Sequence, residues 1–176
     1  MAGIFNFRNL DSTIRALMTA EVDLDTEASV LYLSSRFNAQ GNAEYPRLLR
    51  QAIEDHDDVW LGEMLLRLPA FNEYEVVSGR QKAVPRNAHT VFSSCEFNRF
   101  YIRALCSLAV DKPNIRLIVY RARESSIPRP ESEIKIGTEV DARALLEDLR
   151  QRTGTYTYFG LPEVNSGLSL EIVGDE

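Results

Sequence analysis

Residues 93–109, SSCEFNRFYIRALCSLA, decide how this chain reads. Phe97, Tyr101, Ala104, Leu105 and Leu108 recur at i, i+4, i+7, i+8 and i+11, the spacing of one helical face. Phe100, Ile102, Cys106 and Ala109 carry the apolar surface round both flanks, leaving Glu96, Arg99, Arg103 and Ser107 as the polar line. A helix so nearly apolar must be covered by other elements. The stretch therefore predicts a central packing helix. Ser93, three residues before Glu96, fits a capping box that would satisfy N–H groups left open at a helix start.

Downstream, Pro113 and Asn114 separate this helix from IRLIVY at 115–120, a β-branched run nearly apolar throughout. Such a run predicts a strand covered on both faces. Residues 124–139, rich in Pro, Ser and charge, predict an extended surface loop. Asp141 then caps a helix over 142–150, with Val140 and Leu145 placed as a hydrophobic staple and Gly154 ending it. The tail offers a short strand at 156–159, a turn at 165–167 and a last strand at 168–173.

Upstream, residues 73–77 and 82–84 flank Ser78-Gly79 and predict a β-hairpin. Tyr45, Leu48, Leu49, Ala52 and Ile53 form one helical face; Trp60, Leu61, Met64, Leu65 and Leu68 form a second. Asp57 or Asp58 is the cap between them, and so short a link predicts an αα-hairpin. Asp55, His56, Asp57 and Asp58 stand at that corner, where acidic capping explains them better than a metal does. Asp11 caps a short first helix with Ile14, Leu17 and Met18 inward. Residues 30–33, VLYL, read equally as strand or helix, and Gly41-Asn42 read as the terminator of that element. The expected architecture is α+β: a helical region over 1–69 with its αα-hairpin, then a small mixed β-sheet packed on the central helix over 70–176. Together they make one compact unit.

At 176 residues the chain can bury a core without disulfides or metals. A net charge of −6 argues against broad nucleic-acid binding, which needs a basic surface. Cys95 and Cys106 on one helix lie roughly 16 Å apart along its axis, beyond disulfide reach, and read as reduced thiols. Residues 1–15 lack the apolar run and basic flank of a signal peptide, and no stretch approaches the roughly 18 apolar residues of a membrane span. No membrane partner is expected, and synthesis and folding in the cytoplasm are.

Phosphate-loop, nucleophile-elbow, zinc-protease, CxxC and EF-hand signatures are missing, and His56 and His89 are the two histidines. No catalytic, cofactor or metal residue is assigned. Two constellations stand out. Glu96, Arg99 and Arg103 form either an ion-paired ladder on a solvated face or a groove whose guanidinium forks grip a carboxylate or phosphate. Arg121, Arg123, Glu124, Arg129, Glu131, Glu133 and Lys135 follow the strand. Glu133-Ile134-Lys135 matches the E-x-K fragment of metal-dependent nucleases, yet no second acid ends a neighbouring strand. Alternating Arg and Glu more simply describes a surface that pairs with another subunit. The apolar tip Ile4, Phe5 and Phe7 either docks on its own domain or reaches onto a neighbour.

EFNRFYIRAL at 96–105, LIVYRAR at 117–123, PRPESEIKIG at 128–137, VDARALLEDLR at 140–150 and NSGLSLEI at 165–172 together resemble an uncharacterised family associated with tailed-bacteriophage and prophage genomes. The similarity runs over most of the chain and is densest from residue 84. Gly160 to Asn165 depart from the Gly- and Pro-richer turn expected there. The resemblance carries no catalytic residue. It implies a virion structural or assembly protein, head- or neck-associated, working in the particle through contacts with other virion proteins and with copies of itself. Contact residues then come from Ile4, Phe5, Phe7, Arg99, Arg103, Arg121, Arg123, Arg129, Glu131 and Glu133. The alternatives are a small Mg²⁺-dependent nucleic-acid enzyme using Glu133 and Lys135, or an inhibitor aimed at a host protein.

Overall fold

The computed structural model describes residues 4–125 and 127–174. Three helices come first: α1 (Ser12–Glu27), α2 (Ala39–Asp55) and α3 (Asp58–Arg67). A hairpin follows, β1 (Tyr74–Val77) and β2 (Arg80–Ala83), then the long helix α4 (Ala88–Asp111). The chain closes with β3 (Arg116–Arg121), α5 (Pro130–Glu133), α6 (Ala142–Gln151) and β4 (Leu168–Val173). The architecture is α+β, and its strands divide into two antiparallel pairs, β1 with β2 and β3 with β4.

α4 is the enclosed rod at the centre. Phe97, Tyr101, Ile102, Ala104, Leu105 and Cys106 have no exposed surface at all. α1 and α3 pack on it from the first half of the chain, α6, β3 and β4 from the second. Its buried apolar residues belong to one continuous cluster that includes Leu49 and Ile53 of α2 as well as Leu145 and Leu149 of α6. The helix is unbroken over 24 residues and begins five residues before Ser93. The capping-box expectation at Ser93 is therefore corrected: its hydroxyl donates back to the Thr90 carbonyl, 3.2 Å away, inside the helix. Asn87 is the N-cap, without a side-chain bond.

β3 is covered along both edges. β4 pairs with it from Arg116↔Val173 to Arg121↔Leu168. On the other side residues 137–140 bond to it: Gly137 N–H to Val119 O at 2.8 Å and Val140 N–H to Leu117 O at 3.0 Å. Its backbone is thus paired along both edges, while its apolar side chains Leu117, Val119 and Tyr120 are buried. Asn98 of α4 fastens the sheet to the rod, donating to Leu168 O at 2.8 Å and accepting from the Ser169 hydroxyl at 2.6 Å.

Side-chain caps start three other helices where acidic residues lead into apolar runs. Asp11, Asp57 and Asp141 accept from Ile14, Trp60 and Ala144 N–H. Asp57 is thus the cap of α3, and His56 stacks on Trp60 with ring centroids 4.2 Å apart. Arg15 holds the other side of that corner through the Ile53 and His56 carbonyls, at 2.6 and 2.9 Å. Four local expectations change. Residues 30–33 are irregular, neither strand nor helix. Gly41 and Asn42 lie inside the first turn of α2, which Asn38 caps at the Gly41 N–H, so they terminate nothing. Residues 156–159 are irregular instead of a strand, and the Pro-rich loop carries the single turn α5.

Candidate interaction surface

The polar line of α4 is not a solvated face. Arg103 has no exposed surface and Arg99 and Glu96 keep 1% and 2%, so the expectation of an exposed ladder or open groove is corrected. Arg103 reaches across to α1. Its Nε lies 2.9 Å from Glu21 Oε2, and its two Nη atoms engage both Asp25 oxygens. Arg150 of α6 grips the same Glu21, with Nη2 2.5 Å from Oε1. One carboxylate therefore joins three helices. Arg99 donates to the Arg152 carbonyl at 3.0 Å and to the Gly154 carbonyl, capping the C-terminal end of α6, where unpaired carbonyls gather. Its Nε lies 3.3 Å from Glu96 Oε1. Burial pushes the Glu96 carboxyl toward its protonated form, and Arg99 opposes that.

Why these guanidiniums turn inward follows from what surrounds α4. With apolar residues on every other side, the polar line meets α1 and α6, and those helices bring the carboxylates and carbonyls that a buried Arg needs. Neither Arg99 nor Arg103 has surface left for a partner.

The apolar tip docks on its own domain. Phe7 lies against Phe97 and Tyr101, with ring centroids 5.2 and 4.9 Å apart, and Phe5 stacks on Phe7. Asn6 N–H donates to Ala122 O at 2.8 Å, and the Tyr120 hydroxyl donates to Asn6 O. Arg8 covers the Tyr120 ring and pairs with Glu171. Ile4 alone of the tip remains exposed, at 73%. Arg123, mostly buried, lies over the Phe5 ring.

The charged loop is laced to the tail. Arg121 pairs with Glu133 and donates to Ser166 O at 3.0 Å. Arg129 pairs with Glu163 and donates to Val164 O at 3.0 Å. Lys135 Nζ donates to the Phe159 and Gly160 carbonyls, each at 3.2 Å, and Glu131 stays exposed. Glu133 and Lys135 thus face different partners and do not converge. Among the described residues no three His, Cys, Asp or Glu side chains stand close enough to hold a metal ion.

These ties hold two loops that both carry exposed apolar side chains. Ile127, Ile134 and Ile136 on one loop and Tyr156, Tyr158 and Phe159 on the other are all exposed large apolar residues. Asp148 of α6 fixes the second loop, accepting from the Tyr158 and Phe159 N–H groups at 3.1 and 3.2 Å and from Arg152 at 2.8 Å. The sequence signal was there: TYTYFG alternates like a strand but has no partner strand to cover it. The hairpin is a second exposed element, with Tyr74 and Val76 at 54% and 74%. It is joined to the body by Phe71, bridged to Phe37, and by Arg36 pairing with Glu75 at 2.8 Å.

No helix among the described residues is long and apolar enough to cross a membrane. Compared with family models, with curated proteins and with solved structures, the chain finds no match.

Proposed function

We propose that this chain is a structural or assembly protein of a phage particle, working by protein–protein contacts, both with other virion proteins and with copies of itself. The observation that carries the reading is the pair of laced loops. Six large apolar or aromatic side chains (Ile127, Ile134, Ile136, Tyr156, Tyr158 and Phe159) stand in solvent on segments held in place by Arg121, Arg129 and Lys135. Folding leaves such side chains uncovered at a cost unless another surface covers them, and aromatic residues bordered by Arg are what protein interfaces favour. The rigid backing matters equally, because a pre-ordered patch loses little entropy on binding. The resemblance of the 84–172 region to a phage-associated family supplies the setting.

The test is to purify particles from the strain that carries the sequence and to quantify the chain in them by mass spectrometry. Stoichiometric recovery supports the proposal, and absence from particles overturns it. A Tyr156→Ser/Tyr158→Ser variant should fold and melt like the parent yet fail to enter particles.

A further inference from the structure

Where α3 and α4 lie side by side, a cavity of about 300 Å³ opens between Asp58, Val59, Thr90, Ser94, Arg123 and Ile4. Two charged side chains in its wall are almost fully buried, Asp58 at 5% and Arg123 at 7%. Among the described residues they form no direct ion pair, although each lies near enough to feel the other's charge. The guanidinium makes one long bond, Nη1 to Ser94 Oγ at 3.4 Å, and rests over the Phe5 ring. Its remaining nitrogens are not among the buried, unpartnered atoms, so they keep some accessible surface, and Arg123 lines the cavity. The Asp58 oxygens are likewise absent from that set, being held in part by the backbone N–H groups of Asp58 and Val59 at the start of α3.

Burying either charge without a partner is expensive, and a guanidinium has five N–H groups to satisfy. In the Arg103 cluster the same chain closes every such gap by direct pairing. Here it leaves an anion receptor and a cation receptor in the wall of one small space, with Glu63 also among the lining residues. A molecule bearing both charges at close range resolves both at once. The volume is at the low end for ligand pockets, which limits the occupant to a small metabolite. Ile4 and Val59 supply apolar wall beside the charged groups.

We propose that this cavity binds a free α-amino acid, its carboxylate forked on Arg123 and its ammonium on Asp58, with the side chain against Ile4 and Val59. The inference is independent of the particle role and survives its failure. Calorimetric titration of the full chain with the standard L-amino acids, one at a time, tests it, with acetate and ethylammonium as probes that carry half the chemistry each. At least one amino acid should bind saturably while acetate and ethylammonium do not. Arg123→Gln should weaken binding at least about tenfold, since the bidentate fork is lost. Asp58→Asn should weaken it less. Thr90→Trp, at an exposed position on the rim, should block entry without disturbing the fold, and it decides the matter if Arg123→Gln fails to fold. Three results would overturn the proposal: no amino acid binding, binding unchanged by the folded variants, or acetate binding as well as any amino acid. The first would leave a water-bridged Asp58–Arg123 pair only.

Discussion

Arg103 on α4 and Asp25 on α1 meet as fork on fork: Nη1 lies 2.6 Å from Oδ2 and Nη2 2.9 Å from Oδ1, with both side chains buried. Glu21 accepts from the same guanidinium and from Arg150, so the cluster is a three-helix clasp at the middle of the fold. Removing the cation leaves two carboxylates facing each other without water. Arg103→Met should therefore destabilise by about 3–5 kcal/mol in urea unfolding, the usual loss when one partner of a buried pair is deleted. Adding Glu21→Gln and Asp25→Asn should restore part of that loss. A single variant that unfolds like the parent would mean the clasp holds nothing.

The central rod was legible in the sequence because its apolar spacing is strong enough to survive any tertiary context: Phe97, Tyr101 and Leu105 could face nothing but a core. Caps at Asp11 and Asp141, and one at either Asp57 or Asp58, were legible for the same local reason, and the structure assigns the last to Asp57. The destinations of Arg99 and Arg103 were not. Spacing places them on one face, but the acids that draw Arg103 inward lie 82 and 78 residues away, on α1, and the carbonyls that hold Arg99 lie 53 and 55 residues away, at the end of α6. Ser93 misled because a capping box is a short pattern, whereas α4 runs on upstream through Ala88 to Phe92. The two loops were legible as exposed segments, but not the ties that hold them, because Lys135 to the Phe159 carbonyl and Asp148 to the Tyr158 N–H are contacts without a periodic signature.

Asp58 gives the fold a pH dependence of defined sign. Burial pushes its carboxyl up to about 6, Asp57 adds to the rise, and Arg123 works against it. A carboxyl whose folded value exceeds its unfolded value binds its proton more tightly in the native state. Stability at this position is therefore highest below about pH 4, falls as pH rises toward 6 and is lowest above that. Asp58→Asn removes the dependence. Relative to the parent it should gain on the order of 2–3 kcal/mol between pH 4 and pH 7, read from urea midpoints across that range. A difference that stays flat with pH would show that Asp58 is ionised at no cost.

Both thiols should be sluggish nucleophiles. Burial pushes Cys95 up to about 12 and Cys106 higher still, with Glu96 raising the first and Glu21 the second. The thiolate is the reactive form, so at neutral pH very little of either is available. An aromatic disulfide reagent should label neither promptly in the folded chain and both at once in denaturant. Cys95, on the wall of a separate pocket beside Tyr32 and Phe92, should react before fully buried Cys106 in a slow native time course. Prompt native labelling of Cys106 would contradict the enclosure of α4.

Gly167 and Gly79 separate two costs that are usually confounded. Both have positive φ, +70° and +73°, which costs an L-residue about 1 kcal/mol or somewhat more. Around Gly79, at the tip of the hairpin, an added Cβ meets nothing within 4 Å. At Gly167 the same Cβ would stand 2.2 Å from the Arg123 carbonyl oxygen, a backbone atom with nowhere to go. That contact is close because the Gly167 carbonyl accepts from both Ala122 and Arg123 N–H, at 2.8 and 3.0 Å, locking the end of β3 onto the turn before β4. Gly79→Ala should therefore lose only the conformational cost. Gly167→Ala should lose at least about 2 kcal/mol more, since it must also break these bonds or displace the strand end. The displacement should shift the amide signals of Ala122 and Arg123 in a heteronuclear spectrum and should slacken the cavity that Arg123 lines. If the two variants unfold at the same urea concentration, the Arg123 backbone is not held by this turn.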